Sequence, residues 1–289
     1  MKSKKNTFVS RAAVGCVTTA IFLLLCIIKG IYPFGIATLD TVDFQSQWIP
    51  AYYHVWDVLH GDGSAFFDWR VGGGNNFAGV SAQFSLFSPF NLFFLFVKRS
   101  WIEKSMIVFL LIKLLAMGYG MRWFLKEQIL KEERYGIYIL AGSVGYAVNG
   151  YTLLYYGMGW LDVAAILPLL CYFFCRMAER EGDWRRGKNT LGYIVCLTLV
   201  FLINIPQAYM MCFFLIVFAG GYFFLKRQDQ PLKKNGILKF GLTSLLSLGI
   251  AAVIFLPAAR AMLGSYRLSS EEYRGISGYF LLLRQYGMD

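Results

Sequence analysis

Residues 12–28 read AAVGCVTTAIFLLLCII, seventeen positions without a charge. An α-helix of about that length is the shortest that crosses the hydrocarbon core of a bilayer. The basic head before it (Lys2, Lys4, Lys5 and Arg11) suits either a signal peptide or a first membrane helix. The apolar run is long for a cleaved signal, and Lys29-Gly30-Ile31-Tyr32-Pro33 lacks a small-residue cleavage site. The stretch therefore predicts an uncleaved transmembrane helix.

Working outward, the composition agrees. The chain is 57% hydrophobic, 18% aromatic and only 16% charged, with a mean hydropathy of +0.51. These values exclude a soluble domain. Six more apolar segments follow, near 102–125, 135–152, 160–177, 190–203, 207–225 and 237–259. The fold expected is an all-α polytopic membrane protein of about seven transmembrane helices. The chain 1–289 forms a single membrane domain, with 34–101 as a large outer loop.

The net charge of +11 is that of a polyanion-binding protein, but the placement of the bases points elsewhere. With the N-terminus in the cytoplasm, the inner segments 1–11, 126–134, 176–188 and 226–239 hold 17 Lys and Arg. The outer segments 34–101, 153–159, 204–206 and 260–289 hold 7. Bases resist translocation, so this bias sets the orientation and leaves no nucleic-acid footprint. All six cysteines lie in apolar segments, which gives neither a disulfide framework nor a CxxC metal site.

The outer loop is the one long polar interval. From Thr38 to Asn91 it contains both histidines, His54 and His60, and five carboxylates, Asp40, Asp43, Asp57, Asp62 and Asp68. Phe44, Trp48, Tyr52, Val55, Trp56 and Leu59 recur at three- and four-residue steps, which predicts an amphipathic helix bent or restarted at Pro50. Gly72-Gly73-Gly74 before Asn75-Asn76 marks a turn open to positive φ. Ser88 and Pro89 are a good N-cap and N1 pair for a short apolar helix in the outer interface. Near the far end, Asn204-Ile205-Pro206 separates two apolar segments. A tight outer hairpin is expected there; a single broken helix is the rival, and would reverse all that follows.

Several residues invite chemistry. Asp40 and Asp43, three apart, would share a helical face, able to bind a divalent metal or to divide base and orienting roles. The plainer alternative is that one of them caps the loop helix. Asp162 enters an apolar helix at its outer mouth and needs water, a base or a substrate, unless it is simply a helix N-terminal charge. Lys113 sits in mid-span, where it needs a carboxylate, carbonyls or a polar cavity. His54 and His60 are ill-spaced for one zinc, and no P-loop, nucleophile elbow or Rossmann glycine pattern occurs. The triple glycine is either a phosphate nest or a flexible turn.

Taken together, the motifs resemble bacterial YfhO-like membrane proteins, grouped with the GT-C-type polytopic glycosyltransferases. The matching pieces are Tyr32-Pro33-Phe34-Gly35, Asp43-Phe44 with Gln47-Trp48, Gly72 to Asn76 with Gly79, and Ser88-Pro89-Phe90-Asn91. Trp160-Leu161-Asp162, Leu167-Pro168-Leu169 and Ser265-Tyr266-Arg267 complete the set. The resemblance implies transfer of a sugar from a polyprenyl-phosphate carrier to an extracytoplasmic cell-envelope polymer such as teichoic acid. It places the catalytic base at Asp43, with Asp40 beside it, and a phosphate-stabilising cation at Arg267. Gln47, His54, Asn75, Asn76, Asn91 and Asp162 join Arg267 as substrate-binding candidates, and the aromatics from Phe90 to Phe96 would hold the prenyl tail in the lipid. No cofactor is called for, although the Asp40–Asp43 pair leaves room for a divalent metal. Proteins of this kind are longer, and the chain stops soon after Leu281-Leu282-Leu283, so it is expected to be the N-terminal part of a larger one. The rival functions are a transporter or flippase of lipid-linked sugars, centred on Lys113 and the 204–206 break, and a non-catalytic scaffold.

Overall fold

Helix α1 (Lys2–Ile28) contains the apolar run that opened the analysis. It ends because Gly30 turns left-handed (φ 60°) and the N–H groups of Gly30 and Ile31 return to the carbonyls of Ile27 and Cys26. That paired closure is the Schellman arrangement, which satisfies carbonyls the helix would otherwise leave open. This computed structural model describes residues 2–39, 43–70, 74–76, 85–130, 135–155, 159–178, 185–227 and 234–263.

The outer loop starts with a π-turn, Phe44–Trp48, that runs directly into α2 (Ile49–Leu59). Pro50 occupies the first turn of α2, so the expected restart is seen. Phe44, Trp48, Tyr52 and Val55 are buried, while Trp56 and Leu59 are partly so. A two-residue antiparallel ladder, β1 (Phe67–Asp68) with β2 (Asn75–Asn76), closes the loop. Gly74 leads into β2 with φ 104° under the Trp69 ring, where a Cβ would stand 2.6 Å from the indole. Pro89–Phe96 is a 3₁₀ helix whose N-cap Ser88 accepts the Phe90 N–H.

Among the described residues six helical stretches are long and apolar enough to cross a membrane: Arg11–Ile28, Arg99–Ile129, Gly136–Leu154, Trp160–Ala178, Ile205–Leu225 and Gly236–Ala258. The seventh expected segment, Gly187–Ile203, is shorter. They comprise α3 (Ile102–Phe124), α4 (Gly136–Ala147), α5 (Gly150–Leu154), α6 (Trp160–Ala178), α7 (Arg185–Ile203), α8 (Ile205–Arg227) and α9 (Lys234–Leu263). The third segment is thus two helices rather than one. Asn149 and Thr152 exchange side-chain and backbone hydrogen bonds in a capping box, which starts α5 afresh.

The rings around Phe174, near the end of α6, decide between hairpin and broken helix. Tyr193 midway along α7, Phe218 and Tyr222 in the second half of α8, and Phe240 near the start of α9 all lie within 6.3 Å of it, centroid to centroid. Helix α8 therefore returns to the level that α7 left, and residue 204 is the tip of a hairpin. There the Asn204 side chain caps α8 through the Gln207 N–H (2.9 Å). Helices then alternate, so Glu127, Arg176, Lys188 and Lys239 gather at the end opposite the polar loop.

Two clusters make up the interior. One joins α1, α2 and α3 through Phe22, Trp48, Tyr52, Phe94 and Phe109; the other joins α6 to α9 around Phe174, Tyr193 and Leu197. In lipid, helices associate through close packing rather than by leaving water, which favours small residues at contacts. Gly15 accordingly lies against Tyr119, and Gly118 against Val14, Thr18 and Ala147.

Candidate functional site

Asp43 begins the π-turn and is exposed to solvent. Its backbone is already helical (φ −73°, ψ −30°) and its carboxylate caps nothing. Instead Gln47, one turn on, donates Nε2–H to Asp43 Oδ1 at 3.2 Å. The wider π-turn brings the two polar residues together on the outer face while Phe44 and Trp48 point inward. Single π-turns of this kind often occur where a side chain must be re-aimed. Chemically the result is an exposed carboxylate with one oxygen steadied by a neutral amide, a geometry suited to accepting a proton.

Beneath this turn lies a narrow crevice of about 10 Å³, room for about one water molecule. Leu39, Phe44, Tyr52, Met106, Phe109, Leu110 and Lys113 line it. Lys113 is the only charge among them, and it is not free. Its Nζ stands 2.6 Å from Asp162 Oδ1, with both side chains at most 2% exposed. The ammonium also lies 4.2 Å above the Phe109 ring centroid. Asp162, in the first turn of α6, thus meets a base and not an open mouth. The Ser88 hydroxyl lies beside the same carboxylate. Among the described residues the Ser85 hydroxyl and Asn91 Oδ1 are buried without a hydrogen-bond partner.

The Ser85–Asn91 turn packs over the start of α6. Asn91 Nδ2 donates to the carbonyls of Ser85 (2.7 Å) and Leu86 (2.8 Å), which binds the turn to itself. Ser85 is the one described non-glycine residue with positive φ (56°). Gly159 is pressed so closely on Ser85 and Trp48 that any Cβ there would collide with both. Phe94 is fully buried between Tyr52 and Phe109, at 5.3 and 5.0 Å. The expected lipid-facing aromatic run is therefore divided: Phe94 is core and Phe93 packs against it, whereas Leu92, Leu95 and Phe96 are exposed.

A third set of polar residues holds the loop to α3. Arg99 donates to both oxygens of Asp57 (2.8 and 3.4 Å), and Arg70 reaches Asp57 at 3.5 Å. Arg70 also grips Asp68 with Nε and Nη2 and with its own backbone N–H. That grip holds the Asp68 carboxyl well below the usual carboxylate range. His54 Nε2–H donates to the Ser64 carbonyl at 3.1 Å, and Nδ1 lies 3.9 Å from Asp68. His54 thus belongs to the interior of the loop. Trp56 donates to the Val97 carbonyl, and Tyr53 to Glu103.

Of the residues nominated from sequence, Asp43 and Gln47 come together, while Asn91, His54 and Asp162 serve contacts within the protein. Asn75 and Asn76 pair in β2 opposite Asp68 and Phe67. Asp40 and Arg267 lie outside the described residues. Among the described residues no three His, Cys, Asp or Glu side chains converge to hold a metal ion. The sequence reading passed over Ser85, Asp57 and Arg99. The only signal for the latter two was an excess of carboxylates over bases in the loop.

A family model described as bacterial membrane protein YfhO matches residues 15–285, and the chain belongs to that family. Neither the curated proteins nor the solved structures contain a match to it.

Proposed function

We propose that the chain forms the membrane core and first outer loop of a GT-C-type glycosyltransferase. On this reading it moves a sugar from a polyprenyl-phosphate carrier to a hydroxyl of a cell-envelope polymer such as teichoic acid, on the outer face of the plasma membrane. The observation that carries the reading is the Asp43–Gln47 turn: an exposed carboxylate, one oxygen steadied by an amide, above a narrow apolar crevice. Asp43 takes the proton of the acceptor hydroxyl as that oxygen bonds to the anomeric carbon. The bond from anomeric carbon to phosphate oxygen breaks, its electron pair leaving with the carrier phosphate. Arg267 is the nominated cation for that phosphate. Leu92, Leu95 and Phe96 offer apolar contact for the prenyl chain.

The flippase reading would place its site at Lys113 and the 204–206 break. Lys113 is paired with Asp162, and the 204–206 break is a capped hairpin tip. The test is sugar transfer by Asp43→Asn in membranes of cells producing the intact protein. Asn can still accept the Gln47 hydrogen bond but cannot take the proton, so transfer should fall by about 100- to 10,000-fold with carrier binding retained. Transfer at the wild-type rate would remove Asp43 from the mechanism.

A further inference from the structure

A charge pair at the centre of a membrane protein rarely adds stability. Taking two ions out of water costs about what their attraction returns, and well-packed apolar residues of similar volume usually serve as well or better. Among the described residues Ser85 Oγ and Asn91 Oδ1, buried in the turn above the pair, have no hydrogen-bond partner. Ser85 holds a left-handed backbone as well. Costs of this kind gather where a structure has to be held in one arrangement.

The contacts around the pair show what is held. Lys113 is 5.9 Å from the Tyr52 ring, and Tyr52 packs on Phe44 and Trp48 at 6.5 and 6.2 Å. These are the two buried residues of the π-turn that presents Asp43 and Gln47. Asp162 lies beside Ser88, and its N–H bonds the Gly159 carbonyl at 3.1 Å. Gly159 in turn abuts both Ser85 and Trp48. From one ion pair, two short chains of contact lead to the two turns of the outer loop.

We infer that Lys113 and Asp162 are positioning residues, an ion pair between α3 and α6 that fixes the Phe44–Trp48 and Ser85–Asn91 turns in place. The catalytic consequence rests on the proposed role of Asp43; the structural consequence does not, and is tested without activity. The double variant Lys113→Met/Asp162→Leu removes both charges and leaves no buried ion unpaired. Hydrogen exchange of the purified intact protein should then show amides of 43–48 and 85–91 exchanging at least about tenfold faster, with the amides of α3 and α6 and the melting temperature unchanged. The single variant Asp162→Asn, close in shape, should loosen the same two turns. Wild-type exchange in both variants overturns the inference. Failure of the apolar pair to fold overturns it as well, because the ions would then be needed for stability. Should the turns loosen while the wild-type protein transfers no sugar, the positioning role stands and the proposed reaction falls.

Discussion

Replacing Gly159 by Ala adds one methyl group at the most crowded point of the loop–helix junction. The new Cβ would overlap the Ser85 hydroxyl and stand 2.6 Å from Ser85 Cβ and 2.9 Å from Trp48 Cζ3. Carbon atoms in packed interiors approach to about 3.5–4.0 Å, so roughly 0.6 to 1.4 Å must be recovered from two buried neighbours at once. Overpacking of this kind costs typically about 1–3 kcal/mol. At roughly 2–4 °C per kcal/mol, melting in detergent should fall by ~2–12 °C. Two companions make the origin specific. Ser85→Gly removes the obstructing Cβ and Oγ and suits the left-handed φ of 56°, so by itself it should be neutral or stabilising by up to ~1 kcal/mol. Combined with Gly159→Ala it should recover most of the loss. Gly145→Ala, in α4 with no atom within 4 Å of the added Cβ, should be neutral or slightly stabilising. Wild-type melting by Gly159→Ala, or a loss that Ser85→Gly leaves untouched, would refute the packing account.

Two further outcomes follow from charge. Asp68 is depressed in the folded loop, so its contribution is fully present above the ordinary aspartate value, near about pH 4, and is lost as pH falls below it. Limited proteolysis of residues 60–70 should stay slow from pH 7 to 5 and quicken only below that value, and Arg70→Ala should abolish the acid step. Quickening already between pH 7 and 5 would assign the loop's sensitivity to a histidine instead. The bias of Lys and Arg predicts a cytoplasmic N-terminus, so Asp62→Cys should react with an impermeant thiol reagent from outside and Glu127→Cys should not. The opposite pattern would invert the protein in its membrane.

The membrane-spanning part was legible because the bilayer imposes a length on every span. The apolar run 12–28, the Ser88–Pro89 start and the Pro50 restart all reappear as helices or caps. The Asp43–Gln47 contact was visible for a similar reason, being a one-turn relation that needs no tertiary knowledge. The break at Val148 could have been seen, since Asn149 and Thr152 have the spacing of a capping box. An apolar run of adequate length hid it. Asp57 with Arg99, 42 residues apart, could not be read, because nothing local distinguishes those two ions from solvated ones.

Lys113 lies between these cases. Its position in mid-span required a partner on energetic grounds, so that one existed was a deduction from sequence. Which one it was depends on how deeply α6 begins. Asp162 is in the first turn of its helix, yet it reaches a lysine at the middle of α3, so α6 must start well below the outer end of α3. The space above the start of α6 is filled by the Ser85–Asn91 turn and by Trp48, both from the outer loop. A loop that descends into the helix bundle needs something polar at its foot, because its backbone cannot all be satisfied by apolar walls. The ion pair therefore belongs to the architecture of the loop as much as to that of the bundle, and that is why its loss should register first at Phe44–Trp48 and Ser85–Asn91.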